Sequence, residues 1–228
     1  MIYLGKELEI FDSAKIFQKY IYFHIKKFLR GNICEVGAGL GSFTRHYVNN
    51  HKKVFLSDLD PINFKTLRKK FLHYKNVTIA KDKIEKINYK FDTIIYLNVL
   101  EHINQDRKEI DKAIKKLNPN GHLIFLVPAH QNLYSKFDKA IGHFKRYNIN
   151  FFKIYKPKNL IIKKLIYIDI VGYFLYFLNK IFFKEEIYPS SAKVILWDKL
   201  FMPLTIILDF FTNYKFGKNI LCVYKKKL

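Results

Sequence analysis

Cysteine is nearly absent: Cys34 and Cys222 are the only two in 228 residues, and each sits inside an apolar run. Thiols placed this way offer neither a disulfide framework nor metal-ligand spacing, and a buried free thiol behaves as a small hydrophobe. Arginine is scarce as well. Of 41 basic residues only Arg30, Arg45, Arg68, Arg107 and Arg146 are arginines, within a formal net charge of +22. Phosphate and base recognition lean on the planar guanidinium, and the lysines are spread along the whole chain. The basic balance therefore reads as solvated surface, and no nucleic-acid partner is expected. A long apolar run is missing too. The most apolar stretch, 165–183, is broken by Asp169, Asn179 and Lys180, short of the ~20 apolar residues a spanning helix needs. The charged N-terminal residues lack the apolar core and small-residue cleavage site of a signal peptide, so a cytoplasmic location is expected. With no repeat and no linker, one domain over 1–228 is expected.

Half of the residues are hydrophobic, enough for a sizeable core. Ile16, Tyr20, Phe23, Ile25 and Phe28 are spaced mostly as a helix, which predicts a leading helix over 13–29 behind an Asp12/Ser13 cap, stopped by Gly31. The strand Asn32 to Val36 then runs directly into a glycine turn and a helical stretch, 42–49. Strands at 54–56, 77–80, 92–97 and 122–127 follow, with helices to Phe71 and over 106–117 between them and an Asn118 to Gly121 turn. Strand–helix alternation predicts an α/β fold with a parallel sheet covered on both faces. An apolar run at 160–171, two apolar helical stretches and a last strand at 219–224 complete the chain.

The sharpest motif is Glu35-Val-Gly-Ala-Gly-Leu-Gly41 directly after the first strand. Glycines permit a tight turn and close approach of a ligand to the backbone, and the helix that follows offers free N–H groups. Asp58 lies at the end of the second strand, near the ~20-residue offset of an acid that accepts ribose hydroxyls. Asp60 is either an alternative acceptor or a cap for the helix entered at Pro61. These features suit a nucleotide-containing cofactor and leave open a nicotinamide-dependent oxidoreductase.

Taken in order, Glu35 to Gly41, Ser57 to Pro61, Lys81-Asp82, Phe91 to His102 and Leu117 to Gly121 resemble the successive motifs of class I S-adenosylmethionine-dependent methyltransferases. The resemblance implies a Rossmann-like, doubly wound, seven-stranded sheet whose last strand is antiparallel, and S-adenosyl-L-methionine as cofactor. It further implies that Gly37, Gly39 and Gly41 form the cofactor turn, Asp58 holds ribose, Asp82 faces adenine, and Asn98 and Val99 form a cofactor wall. Glu35 is expected to orient the turn or, through water, the cofactor's amino group. The later segments Val127 to His130, Leu133-Tyr134, Asp138, Gly142-His143, Lys145 to Tyr147 and Gly217 to Val223 resemble a bacterial subgroup associated with glycosyltransferases of surface-polysaccharide or polyprenyl-linked sugar synthesis. The implied reaction is methyl transfer to an O, N or C nucleophile on a small-molecule, sugar or lipid-linked acceptor. A catalytically silent cofactor-binding partner of a glycan-synthesis assembly is the alternative from another class.

On this reading 1–30 is the leading helix, 31–128 the cofactor-binding core, 129–215 a lid with an apolar helical insertion, and 216–228 the last strand. Ligands of open parallel sheets bind at the carboxyl ends of strands, which makes 128–147 the substrate lid. His143 and then His102 are the candidate bases, since imidazole titrates near physiological pH. His130, Tyr134, Arg146 and Tyr147 are candidate substrate contacts, Arg146 for an anionic group. No metal site is expected. The aromatics of 172–183 and 194–211, flanked by Lys180, Lys184, Lys193 and Lys199, read either as a packed cap or dimer face, the favoured reading, or as a peripheral membrane contact.

Overall fold

Seven strands form one mixed sheet in the computed structural model, which describes residues 7–155, 157–182 and 188–228. They are β1 (Asn32–Val36), β2 (Lys53–Ser57), β3 (Val77–Ala80), β4 (Phe91–Leu97), β5 (Leu117–Pro128), β6 (Leu160–Ile168) and β7 (Asn219–Lys226), in the order β3-β2-β1-β4-β5-β7-β6. The pairs from β3 through β5 are parallel; β7 lies antiparallel between β5 and β6. The sheet is the expected one, including the reversed last strand. Strand order switches direction between β1 and β4, which places a ligand crevice at the carboxyl ends of those two strands.

The helices are α1 (Glu7–Asp12), α2 (Lys15–Ile25), α3 (Pro61–Phe71), α4 (Asp106–Lys116), α5 (Lys136–Ala140), α6 (Ile149–Ile154), α7 (Ile170–Phe182), α8 (Ser191–Leu196) and α9 (Met202–Phe211). Successive strand residues supply opposite faces, as the pleat dictates. Ile33, Ile95 and Ile124 join Tyr20 and Ile21 of α2 and Leu67 and Phe71 of α3 in one core. Cys34, Ile94 and Leu123 join Ile110 of α4 and Phe152 of α6 in the other. Strands buried on both sides must be apolar throughout, which is why they read as short continuous hydrophobic runs. Both cysteines are buried and unbonded.

Four local expectations are corrected. The leading helix is two: α1 precedes it, α2 ends at Ile25, and a 3₁₀ turn, Lys26–Phe28, follows. The expected Asp12/Ser13 cap does not form. Asp12 faces Arg45 at 2.9 Å and the Ser42 hydroxyl, while the Ser13 hydroxyl donates to the Ile10 carbonyl. The helix expected at 42–49 is a pair of 3₁₀ turns, Thr44–His46 and Val48–Asn50. The hydroxyls of Thr44 and Tyr47, three residues apart, both donate to Glu35 Oε2 at 2.6 Å. A three-residue repeat aligns them on one carboxylate, which suits 3₁₀ winding. The turn expected at 118–121 is absorbed into an irregular start of β5, where Asn120 takes φ 63°.

Between β6 and β7 the chain forms the apolar insertion, α7 to α9, with Trp197–Phe201 wound as a π-helical segment. Its inner side is packed: Val194, Met202, Asp198 and Asp209 are buried. Its outer side is exposed in the single chain. Phe174, Leu196, Leu200, Ile207, Phe210 and Phe211 are all exposed, the last by 74%. Phe183 and Lys184 lie outside the described residues. No helix of the described residues is long and apolar enough to cross a membrane.

Candidate active site

The crevice at the switch point opens into a cavity of about 560 Å³, within the usual range of small-molecule sites. Its floor is the glycine turn. Gly37 (φ 65°) and Gly41 (φ 71°) adopt left-handed backbone that side chains resist. A Cβ on Gly37 would stand 2.6 Å from a Val99 methyl, and one on Gly41 would overlap the Phe71 ring. Asp58 braces the turn from below: Oδ2 accepts Gly39 N–H at 2.8 Å, and Oδ1 accepts Asp60 N–H at 2.9 Å. Asp60 is the helix cap, accepting N–H from Ile62 and Asn63 ahead of Pro61. Burial, partly offset by those N–H bonds, raises the Asp58 pKa. Glu35, behind the turn, is pushed up to about 7 by burial despite the two hydroxyls donating to it, with Asp58 adding to the rise.

Of the residues singled out from the sequence, Glu35, Gly37, Gly39, Asn98, His102, His143 and Arg146 line this cavity together. Asn98 directly follows β4 with φ 54°, its N–H donated to the Leu126 carbonyl at 2.8 Å. Gly41, Asp58 and Val99 support the wall from behind, and Asp82 is exposed beyond β3, its carbonyl accepting the Ser57 hydroxyl. Three expected substrate contacts point elsewhere. The buried Tyr147 hydroxyl donates to the Leu100 carbonyl and to Asp106. Tyr134 donates to the His143 carbonyl at 2.6 Å. His130 stacks on Tyr167, with Nε2 3.0 Å from the Gly217 carbonyl. All three shape the lid instead of facing the cavity.

Asp138 organises that lid. A capping box with Ser135 starts α5, and its fully buried carboxylate accepts Arg146 Nε and Nη2 at 2.9 Å each and meets His143 Nδ1 at 2.7 Å. Burial alone would raise its pKa, but the hydrogen bonds from His143 and Arg146 hold it well below the ordinary range. Arg146 lies 4.6 Å from the Tyr176 ring centre of α7, which docks the insertion on the lid. The Nη1 group of Arg146 is buried without a hydrogen-bond partner.

Several cavity residues went unforeseen. Glu7, Leu8 and Phe11 of α1 line it, as do Tyr176, Trp197 and Lys218. The most consequential is Glu101, which is fully buried with both carboxylate oxygens unpartnered. Burial, reinforced by Asp138, raises its pKa to about 8. His102, next to it, is driven down to about 4 by burial and by neighbouring His143. The sequence contained Glu101 inside a motif, but only tertiary packing reveals a buried, unpaired carboxylate.

A protein-family profile described as a methyltransferase domain matches residues 10–158, more than half of the chain. The chain belongs to the methyltransferase-domain family. Among curated proteins this methyltransferase is similar to a highly reducing polyketide synthase of Emericella nidulans, at 24% identity over 148 residues. That match takes in 55% of this chain and spans only 6% of the synthase's length. Among solved structures it is similar to the N-methyltransferase NodS of Bradyrhizobium japonicum WM9 in complex with S-adenosyl-L-homocysteine. The TM-score is 0.59 at 15% identity, covering 94% of this chain and 85% of that one. It is also similar to an S-adenosylmethionine-dependent methyltransferase of Clostridium acetobutylicum, with TM-score 0.61, 15% identity and 98% of both chains covered. Likeness at these identities establishes a shared fold.

Proposed function

We propose that this methyltransferase moves the methyl group of S-adenosylmethionine to an O, N or C nucleophile on a small or lipid-linked acceptor. The observation that carries the reading is the continuity of one cavity, from the glycine turn braced by Asp58 past His102 to the lid residues His143 and Arg146. A cofactor on the turn and an acceptor under the lid would then meet in one enclosed space. The sulfonium is already activated, so holding the nucleophile in line with the methyl carbon supplies much of the rate. The family match and the solved neighbours support this over a nicotinamide-dependent oxidoreductase. The resemblance of the lid and last-strand motifs to the glycosyltransferase-associated subgroup supports a glycan-related acceptor.

The outer faces of α7 to α9 support a lipid-linked acceptor in particular. Of these helices α7 and α8 line the cavity, and the insertion exposes Phe174, Ile207, Phe210 and Phe211 on its outside. An apolar surface on a chain of net charge +22 suits contact with an anionic membrane interface. The test is formation of S-adenosylhomocysteine when the protein is given S-adenosylmethionine and either a lipid extract or a water-soluble extract of cells. Turnover with the lipid extract supports the full reading, turnover with the soluble extract alone removes its lipid-linked part, and turnover with neither favours a silent binding partner. His143→Ala with near wild-type turnover would exclude His143 as an essential base.

A further inference from the structure

We propose that Glu101, His102 and His143 form a binding site for a divalent transition-metal ion in the acceptor half of the cavity. One donor atom from each lies within 4.8 Å of the others. Glu101 Oε1 and His143 Nε2 are 3.8 Å apart. Ligands about 2.1 Å from a tetrahedral zinc-like ion stand roughly 3.4 Å from one another, so that pair is within a few tenths of an ångström of a shared ion. Bringing in the most distant donor takes a side-chain movement of up to about 1.4 Å at its tip.

Three independent features point to a cation. First, Glu101 is fully buried and neither oxygen has a partner, an arrangement that is costly unless something positive or hydrogen-bonding meets it. Second, His143 is already oriented as ligating histidines are. Its Nδ1 is 2.7 Å from Asp138, which is itself fixed by Arg146 and Ser135, and its Nε2 is turned toward Glu101. A carboxylate behind an imidazole is the usual outer partner of a metal-bound histidine. Third, all three side chains line the cavity, so an ion held by three protein ligands would keep a position open to a ligand, as catalytic rather than structural sites do. Two imidazoles with one carboxylate favour a transition ion such as zinc, cobalt or iron over calcium or magnesium.

The three ligands come from two segments, the 3₁₀ turn after β4 and the end of the lid, so metal binding would also pin the lid over the cavity. A fixed positive charge there would favour acceptors bearing a hydroxyl or anionic oxygen. That use rests on the methyl-transfer reading, but the existence of the site does not.

The experiment reads the metal alone. Untagged full-length protein, stripped with chelator, is titrated with Co²⁺ by calorimetry and visible absorption, with S-adenosylhomocysteine binding measured alongside as a check of folding. One equivalent of Co²⁺ with visible ligand-field bands is expected. Glu101→Gln and His143→Ala should each weaken it by about tenfold or more, as loss of an inner ligand should exceed the 10- to 100-fold cost of losing an outer one. His102→Gln provides a third variant should either of those fail to fold. Absence of stoichiometric Co²⁺ binding, or binding unchanged in the folded variants, overturns the site and leaves Glu101 as a protonated acid. Failure of the wild-type protein to bind S-adenosylhomocysteine while still binding Co²⁺ would count against the cofactor reading instead.

Discussion

Asp198 caps Phe17 from 181 residues further along the chain: its carboxylate accepts the backbone N–H of Phe17 at 2.8 Å and that of Ile16 at 2.9 Å. The residue preceding α2, Ala14, has no side chain able to do this, so the first turn of the leading helix is completed by the insertion. A second buried carboxylate, Asp209, repeats the device by accepting N–H from Asp169 and Ile170 at the start of α7 and the Tyr20 hydroxyl from α2. Both walls of the cavity are tied together through these two acids.

Asp198→Ala should therefore destabilise the protein by about 1–2 kcal/mol, the cost of losing a helix cap. For a chain of this size the melting temperature should fall by roughly 2–8 °C. Calorimetric or circular-dichroism melting checks this, and an unchanged melting temperature would show that water replaces the cap.

Removing the lid's central acid should cost more. Asp138→Ala leaves the buried Arg146 guanidinium unpaired, a loss of about 3–5 kcal/mol. Asp138 also gives a pH signature. Its folded pKa is depressed, so its stabilisation is present above the unfolded carboxylate pKa and is lost as pH falls through that value and below. Urea midpoints of wild-type and Asp138→Asn protein should differ by a constant amount from pH 5 to 7 and converge in more acidic solution.

Glu35 carries the opposite sign. It holds its proton up to about 7 in the folded chain, whereas an unfolded glutamate releases it near 4.3. The folded state binds more protons in that window, so this residue makes stability decline as pH rises from about 4.5 to 7. Glu35→Gln should flatten that part of the stability profile. A mutant profile parallel to wild type would mean that Glu35 is ionised when folded.

Phe210 and Phe211 test the outer face. Wild-type protein should co-sediment with anionic vesicles at low salt and be released at high salt as the lysine contribution is screened. Phe210→Ser with Phe211→Ser should reduce binding by about tenfold or more, since each buried phenyl group contributes about 1.5–3 kcal/mol at full burial. No co-sedimentation of the wild type would remove the membrane reading.

Much of the fold was legible because strands buried on both faces read as apolar runs: Ile33-Cys34, Ile94-Ile95 and Leu123-Ile124 each feed two cores. The glycine turn was legible because Gly37 and Gly41 occupy backbone that other residues resist. What escaped depended on long-range partners. Thr44 and Tyr47, in and between the 3₁₀ turns, both donate to Glu35, α2 begins where Asp198 caps it, and the Tyr147 hydroxyl is taken up by Asp106 and Leu100. Local pattern carries no trace of such contacts. For the same reason Glu101 stood in plain view within Asn98 to His102 without showing that it would be buried and unpaired.

The central claim is that the glycine turn and Asp58 hold an adenosyl cofactor beneath the lid. Isothermal titration of wild-type and Asp58→Ala protein with S-adenosylmethionine, S-adenosylhomocysteine and NADH tests it most directly. The account predicts binding of both adenosyl ligands, weakened by about tenfold or more when the turn loses the charged brace on Gly39 N–H, and no binding of NADH. Binding of NADH alone, or adenosyl binding indifferent to Asp58, would contradict it.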